Sequence, residues 1–214
     1  MTHNKLQYQT VKPILRSVLE RLMSIKEFEP FRLVGGTSLS LRYGHRISDD
    51  IDLFTDAEYG SIDFLILQEI LRKEFEYCYG DCGNLVGFGA SYFVGNSQND
   101  CVKLDLFYTD SFIRPIEKID SIRLSSVEDI LAMKLEVISN GGRKKDFWDL
   151  HLLRDYYSLE EMLSIYKERY PYNDLQIQCI EGLTNFDNAN DDPDPKCLLG
   201  KFWEIIKLDF SEWV

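Results

Sequence analysis

A paired glycine followed by two acids one position apart constrains this chain more than any other feature. Val34-Gly35-Gly36-Thr37-Ser38-Leu39 runs on to Ser48-Asp49-Asp50-Ile51-Asp52-Leu53-Phe54. After the largely apolar run Phe31-Arg32-Leu33-Val34, a Gly-Gly step lets the backbone turn tightly and approach a ligand closely. Thr37 or Ser38 is then expected to cap the next helix, whose free N–H groups would seat an anion such as a triphosphate tail. Asp50 and Asp52 lie in an apolar strand pattern, where alternate side chains share a face, so both carboxylates point the same way about 7 Å apart. Like charges that close repel unless a cation lies between them. Oxygen ligands on one side of a rigid strand suit Mg²⁺, which takes one or two carboxylates and completes its shell with phosphate and water. An anion seat at one strand end and an acid pair on the next strand is the equipment of phosphoryl transfer.

The rest of the composition sets limits. A chain of 214 residues supports a substantial core, in one domain or a small domain with an appendage. Nothing approaches a membrane span, and the polar start Met1-Thr2-His3-Asn4-Lys5-Leu6 is unlike a signal peptide. The five cysteines are odd in number and scattered, and Cys78-x3-Cys82 has no second pair at zinc spacing, so they read as reduced cytosolic thiols. A net charge of −12 argues against general nucleic-acid binding, but the 60 residues from Asp155 to Val214 hold −8 of it. Basic residues of the front part gather near the glycines and acids: Arg42, His45 and Arg46, then Arg143, Lys144 and Lys145. A local basic patch on an acidic protein can hold a phosphate chain.

Periodicity predicts an opening helix over Gln7–Glu27, a buried strand at Phe31–Val34 and a short helix over Thr37–Tyr43 ended by Gly44. A strand through Ile51–Phe54 and a helix over Ser61–Phe75 follow. A glycine-dotted stretch (Gly80, Gly83, Gly87, Gly89) leads to strands at Ala90–Val94 and Cys101–Tyr108, and another around Ile122–Leu124 ends at Ser125, a good helix cap. Beyond it the pattern is helical: Val127–Asn140, Lys144–Tyr157, Leu159–Tyr170, Asp174–Leu183 and Lys196–Lys207, with an acidic, proline-bearing loop at Asn185–Pro195. The division expected is a core domain over residues 1–125 and a helical domain over 126–214 packing over the site.

Three further acids and a lysine join the candidate site. Asp105 alternates with Leu104 and Leu106, and completes a carboxylate trio if its strand lies beside Ile51–Phe54; alone it would read as a solvent-facing strand residue. Lys134 falls in the middle of the apolar arc of its helix, and Asp146 and Asp149 fall in the arc of the next, with His151 and Asp155 on the polar side. These three form either a structural ion pair or a lysine reaching a triphosphate beside an acid that orients the acceptor. Arg143-Lys144-Lys145 reads as a solvated turn, or as a grip on an acceptor's phosphates. Trp148, Trp203, Trp213 and the many Tyr and Phe read as core rather than base-stacking platforms.

Together these residues resemble the bacterial AbiEii/AbiGii-type nucleotidyltransferase toxins of the DNA polymerase β-like superfamily. The likeness runs from Phe31 to Leu153 in four blocks: Gly35–Leu39, Gly44–Phe54, Lys103–Leu106 with Asp129–Lys134, and Gly142–Leu150. It implies an α+β nucleotidyltransferase fold, a mixed sheet flanked by helices with a C-terminal helical bundle. It implies a cytoplasmic toxin of a toxin–antitoxin or abortive-infection system with a cognate antitoxin. It also implies transfer of a nucleoside monophosphate from a nucleoside triphosphate to an acceptor hydroxyl, with tRNA as the expected acceptor. Carried over by position, Asp50, Asp52 and Asp105 would hold Mg²⁺ or Mn²⁺. Gly35, Gly36, Thr37, Ser38, Arg46 and Ser48 would bind the triphosphate with Lys134, and Asp146 or Asp149 would complete the site. The alternatives are an antibiotic-type enzyme acting on a small molecule and a nucleotide-binding module without transfer.

Overall fold

Pro13 sets where the first helix begins. Its ring suits the first helical position and drives the preceding Lys12 into extended backbone. In the computed structural model, which describes residues 5–81, 88–173 and 175–214, α1 therefore spans only Pro13–Ser24, flanked by 3-10 turns at Tyr8–Thr10 and Lys26–Phe28. β1 (Arg32–Leu33) leads into α2 (Gly35–Tyr43), which Gly44 ends in left-handed backbone, φ +70°, with its N–H on the Ser40 carbonyl. β2 (Asp50–Thr55) is followed by α3 (Phe64–Glu74), whose first turn donates the Leu65 and Ile66 N–H groups to Asp63. β3 (Tyr77–Tyr79), β4 (Gly89–Ser97), β5 (Asp100–Tyr108), β6 (Glu117–Ile119) and β7 (Ile122–Leu124) come next.

Among the described residues these strands form one mixed sheet in the order β3-β4-β5-β2-β1-β7-β6. The β2–β5 and β1–β7 pairs are parallel and the others antiparallel. Ser126, one residue later than expected, caps α4 (Val127–Ser139) by accepting the Asp129 N–H at 3.0 Å. α5 (Lys144–Leu153), α6 (Leu159–Arg169), α7 (Gln176–Thr184), the single turn α8 (Asp187–Asn190) and α9 (Trp203–Trp213) complete the chain. The expected loop at Asn185–Pro195 thus contains a helical turn, and the last helix starts later than Lys196. Residues 196–198 are instead held against the segment before β2: Ile47 donates to the Lys196 carbonyl at 2.9 Å and Leu198 to that of His45 at 2.8 Å. Backbone spent on that ladder cannot also be helical.

Two apolar clusters result. One lies under the sheet and takes α1 and α3; the other is built by α4–α9, with Phe147 and Trp203 fully or almost fully buried. α2 joins them, because Leu41 belongs to the first and Leu39 to the second. The paired glycines at its N-terminus therefore sit at the seam. Cys78, Cys101, Cys179 and Cys197 are free thiols, while Cys82, Gly83, Gly87 and Asp174 lie outside the described residues. Among the described residues no helix is long and apolar enough to cross a membrane.

Candidate active site

The β2–β5 register places Asp52 directly beside Asp105 and Asp50 beside Lys103. Paired positions project from the same face, so the three acids lie on one side of the sheet. There they line a cleft of about 250 Å³ together with Gly35, Gly36, Lys134 and Asp146.

Each glycine has its own reason to lack a side chain. Gly35 has φ +68°, and a Cβ on it would stand 2.5 Å from Asp52 Oδ2. A Cβ on Gly36 would stand 1.9 Å from an Arg46 guanidinium nitrogen. The turn therefore brings the first helical backbone onto the acid and lets the guanidinium pass beneath it. Thr37 and Ser38 do not cap α2, whose N-cap is Val34 without a side-chain bond. The Thr37 hydroxyl donates to the Asp50 carbonyl and pairs with Ser48 Oγ at 2.8 Å, fastening α2 to the head of β2. Ser38 is fully buried. Gly35 and Gly36, rather than Thr37 and Ser38, line the cleft.

Behind the cleft lies a buried charge network. Asp149, with no exposed surface, accepts from Arg46 through Nε at 2.7 Å and Nη2 at 2.9 Å, from His45 Nε2 at 2.7 Å, and pairs with Lys134 Nζ at 2.7 Å. Lys134 also donates to Asp146 Oδ1 at 2.6 Å, and the other Asp146 oxygen accepts the Arg143 N–H at the start of α5. Burial opposes each of these charges, but Arg46, Lys134 and His45 outweigh it and hold the Asp149 carboxyl well below its usual range. Burial likewise opposes the Lys134 charge, and the two acids overcome it and keep the ammonium on. Burial lowers His45, so its neutral ring donates through Nε2. The helical arcs thus bring Lys134, Asp146 and Asp149 together as expected. Asp149 is sealed away from the cleft, and Arg46 spends its fork on it. Only Asp146 and Lys134 of that trio line the cleft.

The outer acids are also engaged. Asp50 pairs with Lys145 at 3.2 Å and Asp105 with Lys103 at 2.6 Å. Asp105 is therefore already engaged by a cation of its own strand, and as they stand no three His, Cys, Asp or Glu side chains among the described residues are arranged to hold a metal ion. Two observations still fit a cation. Asp105 Oδ1 is buried with no hydrogen-bond partner in this structure. Burial, then the neighbouring Asp105 charge, push the Asp52 carboxyl up to about 6. A divalent cation among oxygen donors would satisfy the one and relieve the other.

Sequence reasoning missed Lys103, although its two-residue spacing from Asp105 puts it on the same face. It also set His151 on a polar side, where α9 buries it: His151 Nε2 lies 2.6 Å from Asp209. Lys144 is no solvated turn residue either, being buried against Asp194 at 3.0 Å. Beyond Asp50 a larger cavity of about 680 Å³ adjoins the cleft, sharing Arg46, Ser48, Arg143 and Lys145 and adding Lys12 and Lys196.

Comparison with known proteins bears on the family and the fold. The model of the family described as nucleotidyl transferase AbiEii toxin, type IV toxin–antitoxin system, matches residues 17–194. An uncharacterised protein of Aquifex aeolicus is 31% identical over 205 residues, 93% of each chain. Among solved structures, MenT4, a nucleotidyltransferase toxin of Mycobacterium tuberculosis, superposes with TM-score 0.61 at 12% identity, covering 92% of this chain and 81% of its own. JHP933 of Helicobacter pylori superposes with TM-score 0.50 at 17% identity, covering 93% and 91%. At such identities these two structures support the fold alone.

Proposed function

We propose, from the premise that this chain belongs to the AbiEii nucleotidyltransferase toxin family, that it moves a nucleoside monophosphate from a nucleoside triphosphate to an RNA hydroxyl, the end of a tRNA. The observation that carries this reading is the pairing of Asp52 with Asp105 on one face, under a glycine turn shaped to the Asp52 carboxylate. Asp50, Asp52 and Asp105 would hold Mg²⁺ or Mn²⁺, whose charge, when bound, neutralises the α-phosphate and lowers the pKa of an attacking hydroxyl. The chain's own groups supply the rest. The N–H groups of Gly35 and Gly36 meet the phosphates at the start of α2. Lys134, held charged by two acids, faces the same cleft. Lys145, Arg143, Lys12 and Lys196 are the cations a polyphosphate would meet in the adjoining cavity, where they stand among Asp49, Asp50, Asp192 and Asp194. Asp105 would act on the acceptor hydroxyl through the cation that its unpartnered Oδ1 would hold, since Oδ2 is taken by Lys103. A cognate antitoxin would be the regulating partner.

The test is incubation with each radiolabelled triphosphate in the presence of total cellular RNA, purified tRNA or a panel of aminoglycosides. Label is expected in tRNA, and Asp50→Ala or Asp52→Ala should abolish it while the protein stays folded. Label in the aminoglycosides alone would replace the acceptor. The lysine partners of Asp50 and Asp105 favour one second reading, a nucleotide-binding module without transfer. Triphosphate binding by calorimetry with no labelled product in any arm would establish it.

A further inference from the structure

Phe54 and Phe107 follow Asp52 and Asp105 by two residues and are themselves paired in the β2–β5 register. The face that carries the acids therefore passes within one pleat into two aromatic rings, their centroids 6.0 Å apart and edge to face. Phe54 lines the catalytic cleft and also a further cavity of about 560 Å³. Two more rings wall that cavity, Tyr59 and Phe88, which are 65% and 68% exposed with centroids 5.7 Å apart. Tyr108 backs Tyr59 at 5.3 Å, and its hydroxyl accepts the Ile62 N–H at 2.7 Å, which fixes the loop that carries Tyr59. These rings were expected in the core. Exposed aromatic surface continuous with a reactive cleft instead marks a ligand site, and the cavity has the size of one.

We propose that this aromatic cavity stacks the terminal nucleobase of the RNA acceptor and so delivers its hydroxyl to the acids. The inference rests on the transferase reading above and adds to it the side from which the acceptor enters. Charge decides which nucleotide lies here. Among the described residues no lysine or arginine lines the aromatic cavity, whereas Lys145, Arg143 and Lys196 line the cavity at the Asp50 end, beside Asp49, Asp192 and Asp194. A triphosphate needs the basic end, which leaves the aromatic end for a group whose recognition is by its π face. Asp105, the acid assigned to the attacking hydroxyl, leads straight to Phe107. Stacking of this kind is tolerant of base identity, and the Asp110 carboxylate at the rim offers an acceptor to an exocyclic amine.

The test is a direct binding measurement, with Ca²⁺ in place of Mg²⁺ to prevent turnover. The probe is a short single-stranded RNA with 2-aminopurine as its 3′-terminal base. Wild type should quench the probe on binding. The Tyr59→Ala/Phe88→Ala double variant should bind it about 5- to 150-fold more weakly, the range found for loss of base–aromatic stacking. Both rings are exposed, so truncation leaves the core intact, and Phe88→Trp should restore binding. Equal affinity for wild type and the double variant, no quench by wild type, or a weakening confined to the triphosphate would each overturn the proposal. Parallel transfer assays separate the two readings. Quenching without any labelled product leaves the base platform standing and removes the transferase, whereas equal acceptor KM for wild type and double variant in an active enzyme removes the platform alone.

Discussion

Asp52→Asn should make the metal-free protein more stable while destroying its activity. The Asp52 carboxyl is raised from 3.8 to about 6 in the folded protein, first by burial and then by Asp105. A group raised in this way binds its proton more tightly folded than unfolded. Its contribution to stability is thus complete below the unfolded value and is lost as pH rises through about 6. At pH 7.5 the ionised side chain carries the full penalty, at most about 3 kcal/mol at about 1.4 kcal/mol per pH unit. Solvent reaches the half-buried carboxylate from the cleft, so about 2 kcal/mol is the better figure. An asparagine carries no charge, and its amide can donate to the unpartnered Asp105 Oδ1. In EDTA at pH 7.5, thermal unfolding should therefore show a Tm higher by about 4–8 °C for the variant, at about 2–4 °C per kcal/mol for a chain of this size. The gain should shrink as pH falls through about 6 and vanish only below 3.8, where Asp52 becomes protonated in both states. Millimolar Mn²⁺ should reverse the order by stabilising wild type alone. A variant less stable than wild type in EDTA at pH 7.5, or a gain that persists unchanged at low pH, would refute the reasoning.

Four further outcomes follow from single contacts. Gly36→Ala should cost about 1–3 kcal/mol in urea unfolding, because the new methyl group displaces a guanidinium locked on Asp149; measured with Arg46→Ala, the two losses should add to less than their sum. Lys103→Met should tighten Mn²⁺ binding up to about fivefold by electron paramagnetic resonance, since a half-exposed ammonium pair contributes at most about 1 kcal/mol and no longer competes for Asp105. Asp149→Asn should destabilise by about 3–5 kcal/mol by leaving the buried Arg46 guanidinium without its carboxylate, while Lys134 keeps Asp146. Asp146→Asn leaves Lys134 its Asp149 partner, so it should cost less stability than Asp149→Asn and change triphosphate KM more than kcat; a kcat loss of about 10²-fold or more would restore Asp146 as an acid acting on the acceptor.

The sheet and its acids were legible in the sequence because alternation is a strict code. Asp50, Asp52 and Asp105 each interrupt an apolar strand at the same parity, and parallel pairing did the rest. The same held for Lys134 with Asp146 and Asp149, where helical spacing set charges in apolar arcs on two packed helices. What escaped was whatever depends on a third element. Asp149 looks like a site acid until Arg46 and His45, a hundred residues earlier, fold onto it. Thr37 has the makings of a cap, but Gly35 already starts the helix one residue after Val34, so the hydroxyl turns to Asp50 and Ser48. The short edge strands β3 and β6 are too brief to show a period, and His151 is polar by its own helix and buried only by α9.

One further consequence concerns how such a site can fold at all. Three carboxylates on adjoining strands would oppose folding, yet two of them arrive with a lysine of their own, Asp50 with Lys145 from α5 and Asp105 with Lys103 from its own strand. The cations come from different elements, so the neutralisation is complete only after the helical layer has closed on the sheet. Asp52, between them, has no such partner among the described residues; Lys134 lowers its pKa from a distance but is itself held by Asp146 and Asp149. The electrostatic cost of the site is therefore concentrated on one side chain rather than shared among three. That side chain lies under Gly35, where the backbone is shaped around its oxygen and no other residue fits. A site arranged this way has two of its acids paired by lysines and keeps one whose charge a cation would relieve.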